Sequence, residues 1–399
     1  MTPLPLHVTA LSIVSALGDG LEPMWTAMSF NRSALAAAPT EQRLPLNAWI
    51  GKISDLDTPL PAPWLTYDCR NHRLVERALH ADGLMAAIER AIAEYGASRI
   101  GLITATSTSG ILSTEIAYRQ RDPGTGALPA EFSYESTHNT DAIGSFLRAR
   151  LGLNGPAFTL STACAATAKA FAAAARLIDA GLCDAVLVGG ADSLCDTTLF
   201  GFHSLGVMAE GPCRPFDTGR SGISIGEAGG FALLERAQND AALPDFCLLG
   251  YGETSDAYHM SSPDPEGLGS EAAMRRALEQ AGLEPGDINY IHMHGTATLA
   301  GDAAEDRAVT RVFGETVPRG STKAATGHTL GATGMIGVAT ALLAIQNSFL
   351  PGNQNLTDLE PGFSSAHVRF GRSAPVKRVM CNAFGFGGVN CSLIFGSKG

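Results

Sequence analysis

Along this chain, short apolar runs recur between longer stretches in which apolar residues return every three or four positions. Read in order, the pattern predicts an opening strand and loop over His7 to Ser15 and a short helix over Trp25 to Phe30. From there to about Leu65 the chain is Pro-rich and irregular. Helical spacing returns over Asn71 to Leu79 and Gly83 to Tyr95. In the second of these Leu84, Ala87, Ile88, Ala91 and Ile92 share one face, and Glu89, Arg90 and Glu94 the other. Ile100 to Ile103 reads as a short buried strand running into a Ser/Thr/Gly loop, Thr104 to Gly110, the punctuation of a sheet flanked by helices. Ala157 to Leu160 favours a strand. It gives way at Thr162 and Ala163 to an Ala-rich helical run through Arg176, with Cys164 at the junction. Ala185 to Gly190 has the unbroken apolar character of a strand covered on both faces. Arg214 to Asp217 is a loop, and Phe231 to Leu234 another strand.

The polar, turn-like stretch Asn239 to Pro244 marks the midpoint. Beyond it the theme repeats. Glu271 to Ala281 is an amphipathic helix, Tyr290 to Met293 a strand, Asp302 to Phe313 a helix, and Gly331 to Asn347 an Ala/Gly-rich buried helix. Val379 to Cys381 and Cys391 to Phe395 are strands flanking a glycine loop. Two α/β halves of similar order, 1–240 and 241–399, predict an internal duplication, although no repeat is visible at the level of sequence.

Composition narrows the class. At 399 residues the chain is too long for one ordinary core, so a layered or duplicated architecture is expected. A hydrophobic share of 45% with 17% charged residues describes a well-buried globule. The net charge of −11 argues against a nucleic-acid binder, which needs positive charge to meet phosphates. It leaves room for an acidic protein partner on a local basic patch. The eight cysteines, Cys69, Cys164, Cys183, Cys195, Cys213, Cys247, Cys381 and Cys391, are scattered without a C-x-x-C pair. That is neither zinc spacing nor a disulfide framework, and it fits a reducing cytoplasm. Met1 to Pro5 shows no basic segment leading an apolar core, so no signal peptide is expected. The longest apolar stretch, Gly334 to Ile345, is too short to span a bilayer.

Four places carry candidate chemistry. Cys164 stands where a helix begins, facing unpaired N–H groups and the positive end of the dipole, which favour the nucleophilic thiolate. The plain alternative is a buried structural cysteine. His292-Met293-His294-Gly295-Thr296-Ala297-Thr298 puts histidines at the carboxyl end of a buried strand, the edge where open α/β folds place ligands. His292 and His294 share an H-x-H spacing that would suit a metal, yet no third ligand cluster accompanies them. An interior hydrogen-bonded histidine is the alternative. Lys323 and His328 flank a Gly turn before a helix whose dipole disfavours imidazolium and keeps His328 neutral. A helix cap with an incidental histidine is the alternative there. In Asn382 to Asn390, glycines let the backbone approach a ligand and aim N–H groups at it, or simply close a hairpin.

Together and in this order, these stretches resemble the β-ketoacyl-acyl carrier protein synthases, condensing enzymes of the thiolase superfamily. The resemblance runs from about Val8 to Phe395. It rests on Ser161-Thr162-Ala163-Cys164, His294 to Thr298, Lys323 with Gly327-His328, and Asn382 to Asn390. Ser255 to Met260 resembles the elongating ketosynthase II branch. The resemblance implies an α/β thiolase fold, internally duplicated, in five αβαβα layers, and a dimer formed with itself or with a chain-length factor. It implies that Cys164 accepts an acyl chain from the phosphopantetheine thiol of an acyl carrier protein. His294 and His328 would polarise the thioester carbonyl of malonyl-carrier protein as carbon dioxide leaves. The enolate would then attack acyl-Cys164 and lengthen the chain by two carbons. The backbone N–H groups of Cys164 and Phe386 would form an oxyanion hole, and Phe386 would also act as a gate. Lys323, paired with Glu305, would support the site in one network with Asp302. Thr296 and Thr298 would bind the pantetheine arm, and Thr108 and Ile223 would line the acyl pocket. Arg70, Arg73 and Arg77 would offer the carrier protein a basic helical patch, the alternative being a solvated helix face. No metal, no organic cofactor and no membrane insertion is implied.

The departures matter too. The family usually reads R-D-G-F after the R-P-F-D loop, where this chain has Arg220-Ser221-Gly222-Ile223, so a ring is lost near the expected pocket. Leu299 stands where a proline is usual. Residues 38–65 match poorly, and the chain is shorter than typical members. These features are more like ketosynthases of specialised pathways, such as those making aryl polyenes, than housekeeping fatty acid synthesis. Retention of Cys164, His294 and His328 argues against a non-catalytic partner subunit. Two histidines argue against a simple cysteine acyl hydrolase or acyltransferase, which needs one base.

Overall fold

Ten of the strands form one continuous sheet path: β1 (Leu6–Ser15), β2 (Ile100–Ala105), β3 (Ala157–Leu160), β4 (Ala185–Asp192), β5 (Ala228–Arg236), β6 (Cys247–Ser255), β7 (Tyr290–His292), β8 (Arg319–Gly320), β9 (Arg378–Gly385) and β10 (Val389–Gly396). The computed structural model describes residues 5–38, 48–236 and 246–397. The midpoint at Asn239 to Pro244, the boundary at 240 and part of the Pro-rich stretch lie outside them.

The spatial order is β8-β7-β9-β10-β6-β1-β5-β4-β2-β3. Within each half the order is the same: third strand, second, fourth, fifth, first. The directions agree as well. The second strand runs parallel to the third and fourth, while the fifth is antiparallel to the fourth and the first. The duplication that is invisible in the residues is explicit in the topology. The halves meet antiparallel through Leu6 with Leu248 and His7 with Cys247.

Helices α1 (Arg70–Leu79), α2 (Leu84–Tyr95), α3 (Ala142–Leu151), α4 (Ala166–Asp179), α5 (Asp196–Ser204), α6 (Leu268–Ala281), α7 (Leu299–Phe313) and α8 (Thr333–Gln346) pack around these strands. Alternation along the strands sorts them into layers, because successive side chains leave a strand on opposite faces. On β4, Val186 and Val188 join the core around α4 and α8, while Ala185 and Leu187 join the core under α1, α2 and α3. On β10, Leu393 and Phe395 point to α4 and α8, while Ile394 meets the core of α6 and α7. The result is five layers, with α4 and α8 between the two halves of the sheet. Both central helices are Ala/Gly-rich because they touch each other as well as a sheet. A Cβ on Gly334 would lie 2.8 Å from the Ala168 nitrogen, so only glycine permits that approach. Among the described residues, no helix is long and apolar enough to cross a membrane.

The elements read from sequence are present, with ends moved by a few residues. One shift bears on chemistry. Cys164 is not in the first turn of an α-helix. It sits in a 3-10 turn, Ala163–Ala165, ahead of α4. Ala163 opens that turn at φ 50, a region costly for a residue with a side chain.

Candidate active site

Four segments converge on one cavity of about 270 Å³. The first is the sharp turn that lifts Cys164 out of β3 and into α4. The Cys164 sulfur lies 3.0 Å from His328 Nε2. Its own backbone N–H and that of Phe386 point at it.

The second segment follows β7. Glu305, buried on α7, accepts the N–H of His294 at 2.6 Å and that of Gly295 at 2.7 Å. Asp302, one turn earlier, accepts from Ala297 at 3.0 Å and from Phe216 at 2.7 Å. These two carboxylates fix the loop that presents His294. Thr298 caps α7 through Gly301 N–H, and its hydroxyl lies 3.0 Å from that of Thr296. Both threonines and the exposed Leu299 line the cavity.

The third segment carries Lys323 and His328. The Lys323 ammonium donates to the His294 carbonyl oxygen and lies 3.4 Å from His294 Nδ1. It forms no ion pair with Glu305. The expected pairing is therefore replaced by a hydrogen bond to the His294 backbone, and the two charges act on each other across a longer gap. The His294 and His328 rings stand edge to face at 5.3 Å. His328 Nδ1 is 3.4 Å from the Thr333 hydroxyl.

The fourth segment is the tight turn joining β9 and β10. Gly387 and Gly388 both take positive φ, and Phe386 stands at the turn with its ring 5.6 Å from that of Phe202. Asn390 donates to Asp256 at 2.6 Å, and Asp256 N–H donates to Gly388, tying the turn to the neighbouring loop.

Burial dominates the electrostatics. It holds His294 and His328 well below the usual imidazole range, and the Lys323 charge pushes the same way. Both rings are neutral. Burial also pushes the Cys164 thiol up to about 11, against the pull of Lys323 and the two N–H groups. The lowered thiol expected from a helix N-terminus is thus reversed. In the resting site a neutral thiol faces a neutral imidazole. Such a site can form a covalent bond at sulfur and offer two neutral N–H donors and two backbone N–H groups to developing negative charge.

A β-ketoacyl synthase N-terminal domain profile matches residues 5–240, and the C-terminal domain profile matches residues 246–357. The chain belongs to the β-ketoacyl synthase family. The 3-oxoacyl-[acyl-carrier-protein] synthase 2 of Vibrio harveyi is 29% identical over 97% of this chain and 97% of the relative. That of Staphylococcus aureus is 34% identical over 76% of this chain and 78% of the relative. A chain of the complex of ketosynthase ApeO with its chain length factor ApeC from Xenorhabdus doucetiae superposes with a TM-score of 0.90. It is 33% identical and covers 99% of this chain and 98% of its own. The ishigamide ketosynthase/chain length factor gives a TM-score of 0.90 at 25% identity, with full coverage of both chains. This synthase is accordingly an acyl-transferring condensing enzyme of thiolase fold.

Four expected residues of the synthase, Thr108 and the three arginines of the basic patch, do not line this cavity. Thr108 is buried outside the cavity wall, with its hydroxyl and N–H both given to Asp192 at 2.7 Å. Ile223 does line the cavity. Arg70 is turned inward, 11% exposed, on a fully buried Glu227 at 2.8 Å. Arg73 pairs with Asp68 at 2.5 Å, as Arg77 does with Asp19 at 2.6 Å. The stripe is not a free basic patch, because each guanidinium already has a carboxylate. Two features of the site carried no sequence signal. Phe202 lies on a short helix without a clear apolar stripe. The Asp256–Asn390 contact joins residues 134 positions apart.

Proposed function

We propose that this synthase catalyses decarboxylative Claisen condensation on carrier-protein thioesters, with Cys164, His294 and His328 as its catalytic residues. The observation that carries the reading is the single cavity holding Cys164 Sγ 3.0 Å from His328 Nε2, with the His294 ring facing that of His328. Cys164 attacks the thioester carbonyl of an acyl-carrier protein, and the carrier's thiol leaves with the thiol proton. The tetrahedral oxyanion is held by the N–H groups of Cys164 and Phe386. Malonyl-carrier protein then enters past Thr296 and Thr298. Neutral His294 and His328 donate to its thioester carbonyl, so the enolate left by departing carbon dioxide is stabilised. Attack on acyl-Cys164 gives the β-ketoacyl product and frees the sulfur. Each such donor is typically worth about 3 kcal/mol of barrier.

The thiol and the two imidazoles lie within 4.8 Å of one another, a spacing a metal could use. The Lys323 ammonium beside His294 opposes a cation, which supports a metal-free mechanism. Eight buried cysteines, scattered without a C-x-x-C pair, support a reducing cytoplasm as its place.

We also propose a partner subunit of the chain-length-factor kind. Likeness to two ketosynthase/chain length factor structures, together with Ser221 and Ile223, supports a specialised polyene-type pathway over housekeeping elongation.

Mass spectrometry of the synthase with acyl-carrier proteins, then malonyl-carrier protein, tests the reading. Expected are acylation at Cys164, release of carbon dioxide and a product two carbons longer. Acylation without carbon dioxide release would leave a cysteine acyltransferase as the better account.

A further inference from the structure

The duplicated topology gives the active site a counterpart in the other half. The turn Ala163–Ala165 precedes α4, and the turn Leu330–Ala332 precedes α8. Both are 3-10 turns of three residues that open on a non-glycine residue at φ 50, and both lead into helices of 14 residues. Cys164 thus corresponds to Gly331. The fourth strand of each half ends in register. Asp192 makes the last pair of β4 with Ala228, and Gly385 the last pair of β9 with Val389. Asp192 corresponds to Gly385, and Ser193 to Phe386.

The two ends are treated oppositely. At Gly385 a Cβ would lie 3.2 Å from the nitrogens of both Cys164 and Ala165, so the absence of a side chain keeps that hole open. At Asp192 the corresponding space is filled by a carboxylate. One oxygen accepts the Ala332 N–H at 3.2 Å. The other accepts the Thr106 hydroxyl at 2.9 Å, the Ser107 N–H at 2.8 Å, and the N–H and hydroxyl of Thr108 at 2.7 Å. The Ser193 N–H, counterpart of the Phe386 donor, is taken by Thr108 Oγ1 at 3.2 Å. From the opposite side, the Thr167 hydroxyl donates to the Gly331 carbonyl oxygen.

We propose that Asp192 is a positioning residue for the condensation: its carboxylate plugs the counterpart of the oxyanion hole and thereby fixes the Leu330–Ala332 turn that holds His328 against Cys164. Thr167 braces the same turn from α4, one turn beyond the nucleophile. The catalytic distance between the halves is set where the two turns meet. A fully buried carboxylate with four donors at 2.7–2.9 Å is a rigid anchor, because those donors would be left unpaired if it moved, and it shares the Ala332 N–H with the Thr329 carbonyl oxygen at 3.0 Å.

The inference rests on the condensing reading for its kinetic test but not for its structural one. Asp192→Asn keeps an oxygen for the four donors on one side and turns an NH2 group against the Ala332 N–H. Expected are a fall in kcat of roughly tenfold, since small misplacements of reacting groups are costly, with KM for acyl-carrier protein within twofold. In its crystal structure the Cys164 Sγ to His328 Nε2 distance should exceed 3.5 Å. Thr167→Val, which changes no charge, should lower kcat in the same way, and Thr167→Ser should restore it. A kcat within twofold of the wild type in folded Asp192→Asn, or an unchanged 3.0 Å distance, would overturn the proposal. If Asp192→Asn does not fold, the Thr167 pair decides: equal activity of Val and Ser overturns it. A wild type that makes no condensation product would count against the function, while the distance in the variants would still test the anchor.

Discussion

Burial pushes the Cys164 thiol up to about 11, so at pH 7 only about one molecule in ten thousand carries the thiolate. The reaction therefore depends on whatever stabilises that fraction, and three groups do so: the Lys323 ammonium and the N–H groups of Cys164 and Phe386. Modification of Cys164 by iodoacetamide, followed by mass spectrometry, should accelerate roughly tenfold per pH unit from 7 to 10. A rate already level at pH 7 would mean a resting thiolate. Lys323→Met removes a charge that favours the thiolate and should slow modification most at pH 7, the difference narrowing above about pH 8, where burial takes the proton from the wild-type ammonium. On the acyl side, Ile223 lines the cavity and packs with Ile50, Leu194, Leu199, Ile225 and Leu330. Ile223→Ala should cost about 2–4 kcal/mol of stability in a urea melt. It should also shift preference toward longer acyl-carrier substrates, because the space gained opens onto the cavity.

At the scale of elements, the central pair α4 and α8 carries both halves of the site, and their spacing is set by small residues. A methyl on Gly334 would sit 2.8 Å from the Ala168 nitrogen and 2.9 Å from Thr167 Cβ, neither of which is a flexible side-chain end. Gly334→Ala should therefore lower stability by about 1–3 kcal/mol, although alanine is the better helix former. A melt above that of the wild type would show that the helices part without cost. The Ala/Gly-rich runs, the buried strands and the glycine turn were legible in the sequence because alternation and helical spacing report which face is covered. The 3-10 turn at Cys164 was not, since nothing in the identity of Ala163 encodes a positive φ. Arg70, Arg73 and Arg77 read correctly as one helical stripe. Their partners Glu227, Asp68 and Asp19 are set by tertiary packing, so a stripe that looks free in sequence is paired in the fold. Thr108 is an acyl-pocket position only through the family resemblance, and its bond to Asp192, 84 positions away, is likewise set by tertiary packing.

At the scale of the whole molecule, two features extend beyond the site. Strand β3 is hydrogen-bonded on one side to β2 and ends the sheet, with Phe158 38% exposed. An open, apolar edge invites a second chain to pair with it. Phe158→Asp should therefore weaken the proposed dimer, whether with itself or with a chain-length factor, and raise the monomer fraction in sedimentation or light scattering. The second feature is the number of buried neutral histidines. Burial lowers His72 to about 4 and His292 to about 3, and it lowers His294, His328 and His367 as well. In the unfolded chain these groups take up protons below about pH 6.5, whereas in the fold they stay neutral to lower pH. Between those values the unfolded state binds more protons, so stability is fully present above 6.5 and is lost as pH falls. For His72 alone the loss amounts to about 3 kcal/mol by pH 4. Asp302, raised to about 6 by burial, works the other way, as do Glu305, Asp192 and Asp179. Five histidines, with paired carboxylates such as Asp217 and Glu253 held low, outweigh them. The melting temperature should fall steadily from pH 6.5 to 4. His72 stacks on Phe146 at 5.3 Å and its Nδ1 meets the Tyr67 carbonyl oxygen at 2.7 Å. His72→Gln keeps a donor there without a proton to gain, so the variant should melt lower at pH 7 yet lose less than the wild type on acidification. A variant whose slope with pH matches the wild type would remove His72 from the account of acid sensitivity.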